Sequence, residues 1–310
     1  MTMKRPPELQ AIFDAIERVG PYTSIEEVNR LLQARMRDYN ARAQPSLGGL
    51  SPNAMTQLLH GDWVSQGVLR LDEGLAYENL AGAAILADAR TLLEYVRDEG
   101  PVKETAARYL PRAVVAALLP RLRMPGQPRI VFDVAAPPPL NEGDVLWLPA
   151  LRHILMFGGL LARRKGLRIT PRGRTLLSEL RAGELYALLF RTLFRTLDLR
   201  SLGRTEGHEA LQSTIAFSFH QLRSAAREWA SAEALAQLAW LDGAKDPPTE
   251  WEVANVDFRY FTFQHRVLDP LVQFDLLESR FVPSDGHLRE REYRCAPLFG
   301  RFLRFEFKSR

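Results

Sequence analysis

A cluster of basic side chains near residue 165 is the part of the sequence whose residue types and spacing could do chemistry. The stretch GLLARRKGLRITPRGRTLL covers residues 159–177 and places three consecutive cations on one tight turn before Gly166. Arginine and lysine side chains contact phosphate oxygens in complexes with nucleic acids, and arginine does so with two donors at once. The stretch therefore predicts a phosphate-binding site whose basic residues are Arg163, Arg164, Lys165, Arg168, Arg172 and Arg174.

The alternation within this stretch predicts a two-stranded hairpin with a basic tip. Side chains on a strand point to opposite faces in turn. The apolar residues 160–161 and Ile169 are therefore expected to pack inward. Arg163, Lys165 and Arg168 are expected to stay exposed.

The motifs of common enzymes and metal sites are missing from the sequence. It contains no G-x-G-x-x-G, no G-x-x-x-x-G-K-[ST] and no H-E-x-x-H. No two of its histidines have the i, i+4 spacing of a metal-binding helix face, and these histidines are His60, His153, His208, His220, His265 and His287. We therefore expect no metal, no cofactor and no catalytic activity. Catalysis by residues distant in sequence is the alternative.

The charge distribution points to the same region. Residues 101–200 carry 17 basic and seven acidic side chains, whereas the first 100 residues carry 10 basic and 14 acidic ones. Arginine accounts for 36 of the 41 basic residues, which suits phosphate binding. A GC-rich coding sequence would produce the same arginine bias.

Composition restricts the class of protein. The 310 residues are 46% hydrophobic and 25% charged, as in ordinary soluble globular proteins. No apolar stretch reaches the roughly 18 residues of a membrane span, and the first residues lack the apolar region of a secretory signal. The single cysteine, Cys295, cannot form an internal disulfide. We therefore expect a cytoplasmic protein of two or three domains.

The elements that would position the basic hairpin are predicted between residues 85 and 180. Three helices are expected first, at Leu86–Val96, at Glu104–Tyr109 and from Pro111 onward. A strand at Arg129–Val134 and a helix at Leu148–Phe157 precede the hairpin. Two short helices joined by a tight corner, followed by a hairpin, are typical of a winged helix-turn-helix.

In such a domain the third of these helices would enter the major groove of DNA. Arg108 and Arg112 flank this candidate recognition helix and are predicted nucleic-acid contacts. The fold class expected for the whole chain is mainly α, with one or two such units and small β-hairpins.

The C-terminal region repeats this order. An apolar pair at 276–277 precedes the short run Arg280–Val282, a turn at Asp285-Gly286 and a strand at His287–Arg294. Asp-Gly is a strong hairpin-turn signal, and a proline and a glycine follow here as they do after the first hairpin. We therefore expect a second wing-like unit over residues 208–307, and chance similarity is the alternative.

Other patterns complete the domain organisation. Ser24 with Glu27 and Ser51 with Pro52 predict capped helices near the N-terminus. Apolar residues at helical spacing predict an amphipathic helix at 183–199 with Arg191 and Arg195 on its polar face. The predicted regions are 1–84, 85–180, 181–247 and 248–310, and the last could form one domain with 208–247.

Five stretches of the chain resemble an uncharacterised family of bacterial proteins. They are YNARAQPSLGGLSPNAMTQLLHGDW (39–63), GPVKETAARYLPRAVVAALLPRL (100–122), GGLLARRKGLRITPRGRTLL (158–177), RAGELYALLFRTLF (181–194) and CAPLFGRFLRF (295–305). The resemblance implies no assigned activity and no catalytic residues. The hairpin pattern is also similar to winged-helix domains of bacterial transcription regulators, which implies a fold more than a function.

The stretch YNARAQPSLGGLSP (39–52) is similar to a segment near the end of transposase catalytic domains. Those enzymes hold two metal ions with three carboxylates on a strand-rich fold. No strand-rich pattern surrounds Asp62 or Asp72. We therefore interpret the stretch as a loop that leads into a capped helix.

The function expected from the sequence is nucleic-acid binding, with double-stranded DNA as the partner, through the basic hairpin and the adjacent helix. The alternative is a protein-interaction or scaffold module with the same fold and no catalytic activity. A continuous positive surface over helix and hairpin would favour the first, and an exposed apolar groove the second. No membrane partner is expected, and the pattern does not decide the oligomeric state.

Overall fold

The computed structural model describes residues 24–123, 140–145, 147–202, 209–242, 259–282 and 290–307, together with the single positions 10, 14 and 18. The contacts divide the chain into two compact units, Met1–His60 and Gly61–Arg310. Several predictions lie outside the described residues, among them the strand at Arg129–Val134 and the turn at Asp285-Gly286. The predicted division into the regions 1–84, 85–180, 181–247 and 248–310 stays a prediction.

The first unit contains two helices, α1 (Ile25–Ala41) and α2 (Pro52–Leu59), joined by a short 3-10 turn. The Ser24 side chain accepts a hydrogen bond from the Glu27 amide, and the Ser51 side chain accepts one from the Ala54 amide. Both predicted N-caps are therefore confirmed. The stretch that resembles a transposase segment is the end of α1, this turn and the start of α2.

The second unit begins with elements that surround the basic hairpin. They are β1 (Leu69–Leu71), α3 (Ala84–Glu99), α4 (Arg112–Leu118), α5 (Leu148–Phe157), β2 (Leu161–Arg163), β3 (Leu167–Ile169) and α6 (Pro171–Leu176). The helix predicted at Leu86–Val96, the one at Leu148–Phe157 and the hairpin are confirmed.

The remaining elements of the second unit follow α6. They are α7 (Ala182–Arg191) with a π-helical turn (Thr192–Thr196), α8 (Ala210–Ser213), α9 (Ile215–Ala225), β4 (Ala230–Ser231), α10 (Ala232–Ala239), α11 (Arg259–Phe263) with a π-helical turn (Gln264–Leu268), α12 (Asp269–Gln273), β5 (Leu277–Val282), β6 (Glu290–Cys295), α13 (Pro297–Phe302) and β7 (Leu303–Phe305). The described part of the chain is therefore mainly α with small antiparallel sheets, as predicted.

The strands form three small antiparallel sheets in the described residues, with orders β1-β7, β2-β3 and β4-β6-β5. In the third sheet Leu277 pairs with Cys295 and Val282 with Glu290. This ladder confirms the predicted antiparallel pairing of the two strands, whereas the predicted turn between them lies outside the described residues. The ladder also shows that β5 is longer than the predicted Arg280–Val282 run.

The two halves of the second unit share one order of elements. In residues 84–169 the order is α3, the bridging residue Val102, α4, α5 and the hairpin β2–β3. Val102 pairs with Leu167 on β3, the second strand of that hairpin. In residues 215–295 the order is α9, β4, α10, the α11–α12 helices and the hairpin β5–β6. There β4 also pairs with the second strand of its hairpin.

The helix predicted at Glu104–Tyr109 is wrong, because this segment is a closed turn. The Thr105 amide donates to the Tyr109 carbonyl at 2.9 Å, and the Tyr109 amide donates to the Thr105 hydroxyl at 3.1 Å. Threonine side chains offer the backbone this local alternative to a helix. Arg108 has a φ of 60°, which a right-handed helix does not accept. The helix-turn-helix corner is therefore not formed by residues 104–118.

Helix α7 lies in the core of the second unit and is covered on nearly all sides. Tyr186, Leu189 and Phe190 are fully buried, and Phe194 in the following π-helical turn is as well. The predicted polar face is also occupied, since Arg191 donates to Glu73 at 2.6 Å. The predicted amphipathic spacing is confirmed, because the leucine face is buried whereas Arg191 is half-buried and Arg195 is exposed. The predicted single helix over 183–199 is shorter in the structure, where α7 ends at Arg191 and a π-helical turn follows.

Four phenylalanines lie at the centre of the core of the second unit. Phe190, Phe194, Phe217 and Phe219 are all buried. The rings of Phe190, Phe194 and Phe219 lie within 5.2 Å of one another, centroid to centroid. Among the described residues no helix is long and apolar enough to cross a membrane.

Candidate nucleic-acid interface

The hairpin β2–β3 has a short ladder and a strained tip. Leu161 pairs with Ile169, and Arg163 pairs with Leu167. At the tip Lys165 has a φ of 54° and Gly166 a φ of 115°. A side chain on Gly166 would lie 3.0 Å from the Val102 carbonyl oxygen, so the tip fits closely against the strand residue that follows α3.

The predicted inward and outward split is confirmed. Leu160, Leu161 and Ile169 are buried, and Leu167 is fully buried beside them. The basic side chains of the hairpin are exposed. Arg163 differs from the other basic residues of the hairpin, because it lies on the same face as the buried Leu161 and Leu167.

Arg163 is held by an internal carboxylate. Its guanidinium donates two hydrogen bonds to Glu104, at 2.6 and 2.8 Å. These bonds lower the pKa of Glu104 and raise that of Arg163. The Arg163 side chain keeps 34% of its surface exposed, against 7% for Glu104. Its charge is therefore largely balanced within the protein.

The Glu104–Arg163 pair continues into a buried ionic chain. Arg152 of α5 donates to Glu104 at 3.2 Å and to Glu142 at 2.6 Å. Glu142 also accepts the Leu110 amide at 2.7 Å. Arg152 is only 2% exposed and Glu142 is fully buried. The buried ionic chain therefore joins the hairpin, the turn after α3 and helix α5, and it fixes the positions of these elements relative to one another.

Three hairpin cations have no counter-ion in the described part of the protein. Arg164, Lys165 and Arg168 are exposed, and their side chains form no hydrogen bond or ion pair with any residue that the structure describes. Ala162, directly opposite Arg168 on the outer face, offers no charge. These three side chains are therefore available to an anion from outside.

The four other predicted contact residues lie around the hairpin in different states. Arg108 in the closed turn and Arg174 on α6 are both exposed. Arg108 lies near enough to Glu104 to contribute to the lowering of the pKa of that carboxyl group. The Arg174 side chain forms no hydrogen bond or ion pair with a described residue. Arg112 begins α4, and its Nε donates to the Asn141 side chain at 2.8 Å. Arg172 donates to the Gly158 carbonyl at 3.2 Å. It also lines a cavity of about 390 Å³ with Glu73, Arg181, Glu184 and Arg191.

Helix α5 exposes an apolar face beside the hairpin. Phe157 is 60% exposed, and Ala150, His153 and Met156 are half-buried. Arg152 is the helix's only charged residue, and it points into the buried ionic chain. The pKa of His153 is lowered, first by burial and then by the Arg152 cation, so its ring is neutral at pH 7.

The second hairpin also carries arginines on its outer face, but they are neutralised. Arg280 donates to Glu292 at 2.6 Å, and Arg294 donates to Glu278 at 2.6 Å. Both guanidinium groups also lie over the Trp229 ring, at 4.4 and 4.8 Å from its centroid. The two hairpins therefore share a topology and differ in available charge.

Asp62 and Asp72, the carboxylates considered for a transposase-like site, accept hydrogen bonds from nearby backbone amides. The Asp62 carboxylate accepts the amides of Val64, Ser65 and Gln66 and the Ser65 hydroxyl. Asp72 accepts the Gly74 amide and contacts Arg304. Among the described residues no group of three or more histidine, cysteine or acidic side chains could hold a metal ion.

No sequence pattern identifies Glu104, Glu142 or Arg152 as parts of the site. The sequence pattern places Glu104 in a helix that does not form. Glu142 lies ten residues before Arg152 and 32 residues after Leu110, and no short-range pattern connects such positions. One usable signal is the single arginine in the otherwise apolar helix LPALRHILMF, where a lone charge indicates a buried partner.

Comparison with known proteins identifies one similarity. Residues 81–182 match the family model described as the Y4jL N-terminal domain, an uncharacterised family. The match covers about a third of the chain and contains the hairpin, α5 and the buried ionic chain. The predicted likeness to an uncharacterised family is confirmed to that extent. No curated protein and no solved structure matches the chain.

Proposed function

We propose that residues 84–169 form a winged helix that binds nucleic acid, with double-stranded DNA as the duplex partner. The hairpin β2–β3 is the wing, and its tip contacts the phosphate backbone. The observation that carries the proposal is the set of three exposed cations, Arg164, Lys165 and Arg168, without counter-ions among the described residues. The second hairpin, whose arginines are paired, provides a comparison within the same molecule.

The order and pairing of elements support the winged-helix part of the proposal. A helix, a short strand, two helices and a hairpin follow one another, and the short strand pairs with the second strand of the hairpin. The same order of elements is expected of a winged helix and supports the proposal. In a winged helix of this order α5 would be the recognition helix, and not the α4 helix that the sequence pattern predicts.

The electrostatics of the wing support phosphate contacts. Lysine and arginine side chains that neutralise phosphates release condensed counter-ions, which favours binding most strongly at low salt. Arg174 extends the set of cations that form no ion pair with a described residue, whereas Arg163 is balanced by Glu104 and Arg108 lies near the same carboxylate. Such contacts position a protein on the duplex and carry no sequence information by themselves.

A salt titration of duplex binding tests the proposal. The triple variant Arg164→Gln, Lys165→Gln and Arg168→Gln removes three charges and keeps long polar side chains. We expect weaker binding to every duplex sequence alike. The slope of log K against log salt should fall by about 0.9 for each phosphate that the variant no longer neutralises. The measurement is fluorescence anisotropy with a labelled duplex from about 50 to 200 mM salt.

The matched control is the double variant Arg280→Gln and Arg294→Gln on the second hairpin. Because these arginines are already paired with Glu292 and Glu278, their loss should leave the salt slope unchanged. Thermal melts of all variants establish that each is folded. If the wild type does not bind a duplex at about 50 mM salt, the proposal is wrong.

A second candidate function is a protein-interaction module. It is favoured by the exposed apolar face of α5, where Phe157 has 60% of its surface free. Large contiguous apolar patches on folded proteins mark places where another molecule binds. The buried helix α7 does not support this alternative. If the titration detects no nucleic-acid binding, the protein-interaction function becomes the favoured one.

A further inference from the structure

The exposed face of α5 is poorly suited to reading a continuous duplex. Proteins read base edges in the major groove with bidentate arginine, lysine, asparagine and glutamine side chains. On α5 the accessible positions are Pro149, Ala150, His153, Met156 and Phe157. Apart from His153, none of these side chains carries a strong hydrogen-bond donor or acceptor. The face can offer contact area and aromatic rings, but little base-edge recognition.

Two rings on this face form a small aromatic platform. The His153 and Phe157 rings lie 6.4 Å apart, centroid to centroid, with 49° between their planes. The neutral His153 ring adds area without adding charge. Phe157 presents most of its surface, and no other aromatic ring lies against it among the described residues. One face of a phenyl ring is therefore open at the end of α5.

Two arginine side chains lie near this platform. Arg172 is fixed on the Gly158 carbonyl, one residue after Phe157. Arg163 lies close enough to His153 to contribute to the lowering of its pKa. The carboxylates of this region, Glu104 and Glu142, are occupied by Arg152 and Arg163. Because Glu104 balances Arg163, Arg172 supplies the positive charge beside the open ring. This charge matches a nucleic-acid strand better than it matches an apolar protein segment.

We propose that Phe157 stacks on an unpaired base, so that the preferred ligand is a nucleic acid with single-stranded bases beside a duplex. This inference rests on the proposed nucleic-acid binding and names its substrate class. Base-aromatic stacking tolerates any sequence, because every base has a π face. The wing would hold the duplex backbone while α5 receives the unpaired base.

Three labelled DNA ligands of equal length test the inference: a continuous duplex, the same duplex with a short central gap, and a single strand. We expect the wild type to bind the gapped duplex most tightly. Phe157→Ala should weaken binding to the gapped duplex by about fivefold to 150-fold, the range for one stacked base. Binding to the continuous duplex should change by less than about twofold. Phe157→Trp should keep the preference for the gapped duplex, because it keeps an aromatic ring at this position.

Phe281→Ala provides the control, because Phe281 is a phenylalanine of similar exposure, 64%, on the second hairpin. It should leave all three affinities unchanged. The inference is overturned if Phe157→Ala binds the gapped duplex as the wild type does, or if it weakens all three ligands equally. In either case the wing titration still decides the proposed function separately. If the wild type binds none of the three ligands, both proposals fail and α5 is a protein-docking face.

Discussion

Arginines of the central third occupy three different electrostatic environments, although the sequence presents them alike. Arg152 is buried between two carboxylates, Arg163 is shared between a carboxylate and solvent, and Arg164 has no counter-ion among the described residues. Guanidinium groups suit all three environments because they stay charged and offer several donors. Which arginine can bind an external anion therefore depends on the carboxylates that surround each one.

At the residue scale, removing Arg152 should destabilise the protein. Arg152→Met keeps an apolar stem of similar length but leaves Glu142 and Glu104 without this buried partner. Breaking a buried ion pair from one side costs about 3 to 5 kcal/mol. We expect a loss of this size in the free energy of unfolding, measured by urea denaturation.

The control for Arg152→Met is Arg181→Met. Arg181 also forms a two-bond ion pair, with Glu184, but both side chains are about 40% exposed. Exposed pairs contribute little because water screens them. Equal losses for the two variants would show that the buried ionic chain has no special role in stability.

At the scale of elements, the position of α7 depends on one glycine. A side chain at Gly183 would lie 2.7 Å from the Leu75 carbonyl oxygen and within contact distance of the Glu73 carbonyl oxygen. The backbone of residues 73–75 therefore packs directly on the first turn of α7. A rigid backbone cannot move away as a flexible side chain could.

Two glycine-to-alanine changes should have opposite signs for this reason. Alanine is favoured over glycine in a helix by about 1 kcal/mol. A methyl group added at Gly300 of α13 would meet no atom within 4 Å, so Gly300→Ala should raise the melting temperature. Gly183→Ala should lower it, because overpacking costs about 1 to 3 kcal/mol. Calorimetric melts of both variants make the comparison, and a stabilising Gly183→Ala would contradict the close packing of α7 on residues 73–75.

At the scale of the whole molecule, two halves of the second unit share an order of elements but expose different helices. In the first half α5 presents Phe157 to solvent. In the second half the α11–α12 helices are mostly buried, with Phe263, Leu268 and Leu271 inaccessible. The second half also has paired charges on its hairpin. Exposed apolar surface and hairpin cations that have no counter-ion among the described residues are therefore found together in the first half, where the proposed binding site lies.

Histidines in both halves of the second unit make stability depend on pH. Burial and then a neighbouring cation lower the pKa of His153, beside Arg152, and of His220, beside Arg223. A folded-state pKa below the unfolded value means that the unfolded chain binds protons first as pH falls. The free energy of unfolding should therefore decrease as pH falls below about 6.5, the ordinary value, until the folded-state pKa is reached.

Melting curves between about pH 8 and pH 5 check this dependence. The double variant His153→Gln and His220→Gln should show a flatter fall in melting temperature over this interval. Its absolute stability should be lower, since His220 packs on the Phe305 and Phe307 rings at 5.2 and 5.4 Å. A double variant with the same pH slope as the wild type would exclude these histidines as the cause.

Local patterns were sufficient for part of this structure. Ser24 and Ser51 cap helices because capping needs only a side chain and the amide three residues on. The hairpin β2–β3 follows from alternation and a glycine turn. Each of these signals lies within a few residues of the feature that it predicts.

Tertiary structure decided what local patterns could not. The sequence by itself determined that residues 163–168 form an exposed basic hairpin. Only the folded chain brought Glu104 to Arg163 across 59 positions and to Arg152 across 48, and only the folded chain surrounded α7. Turns and caps are governed by neighbours along the chain, whereas the pairing of a buried charge depends on which distant segment the core brings beside it.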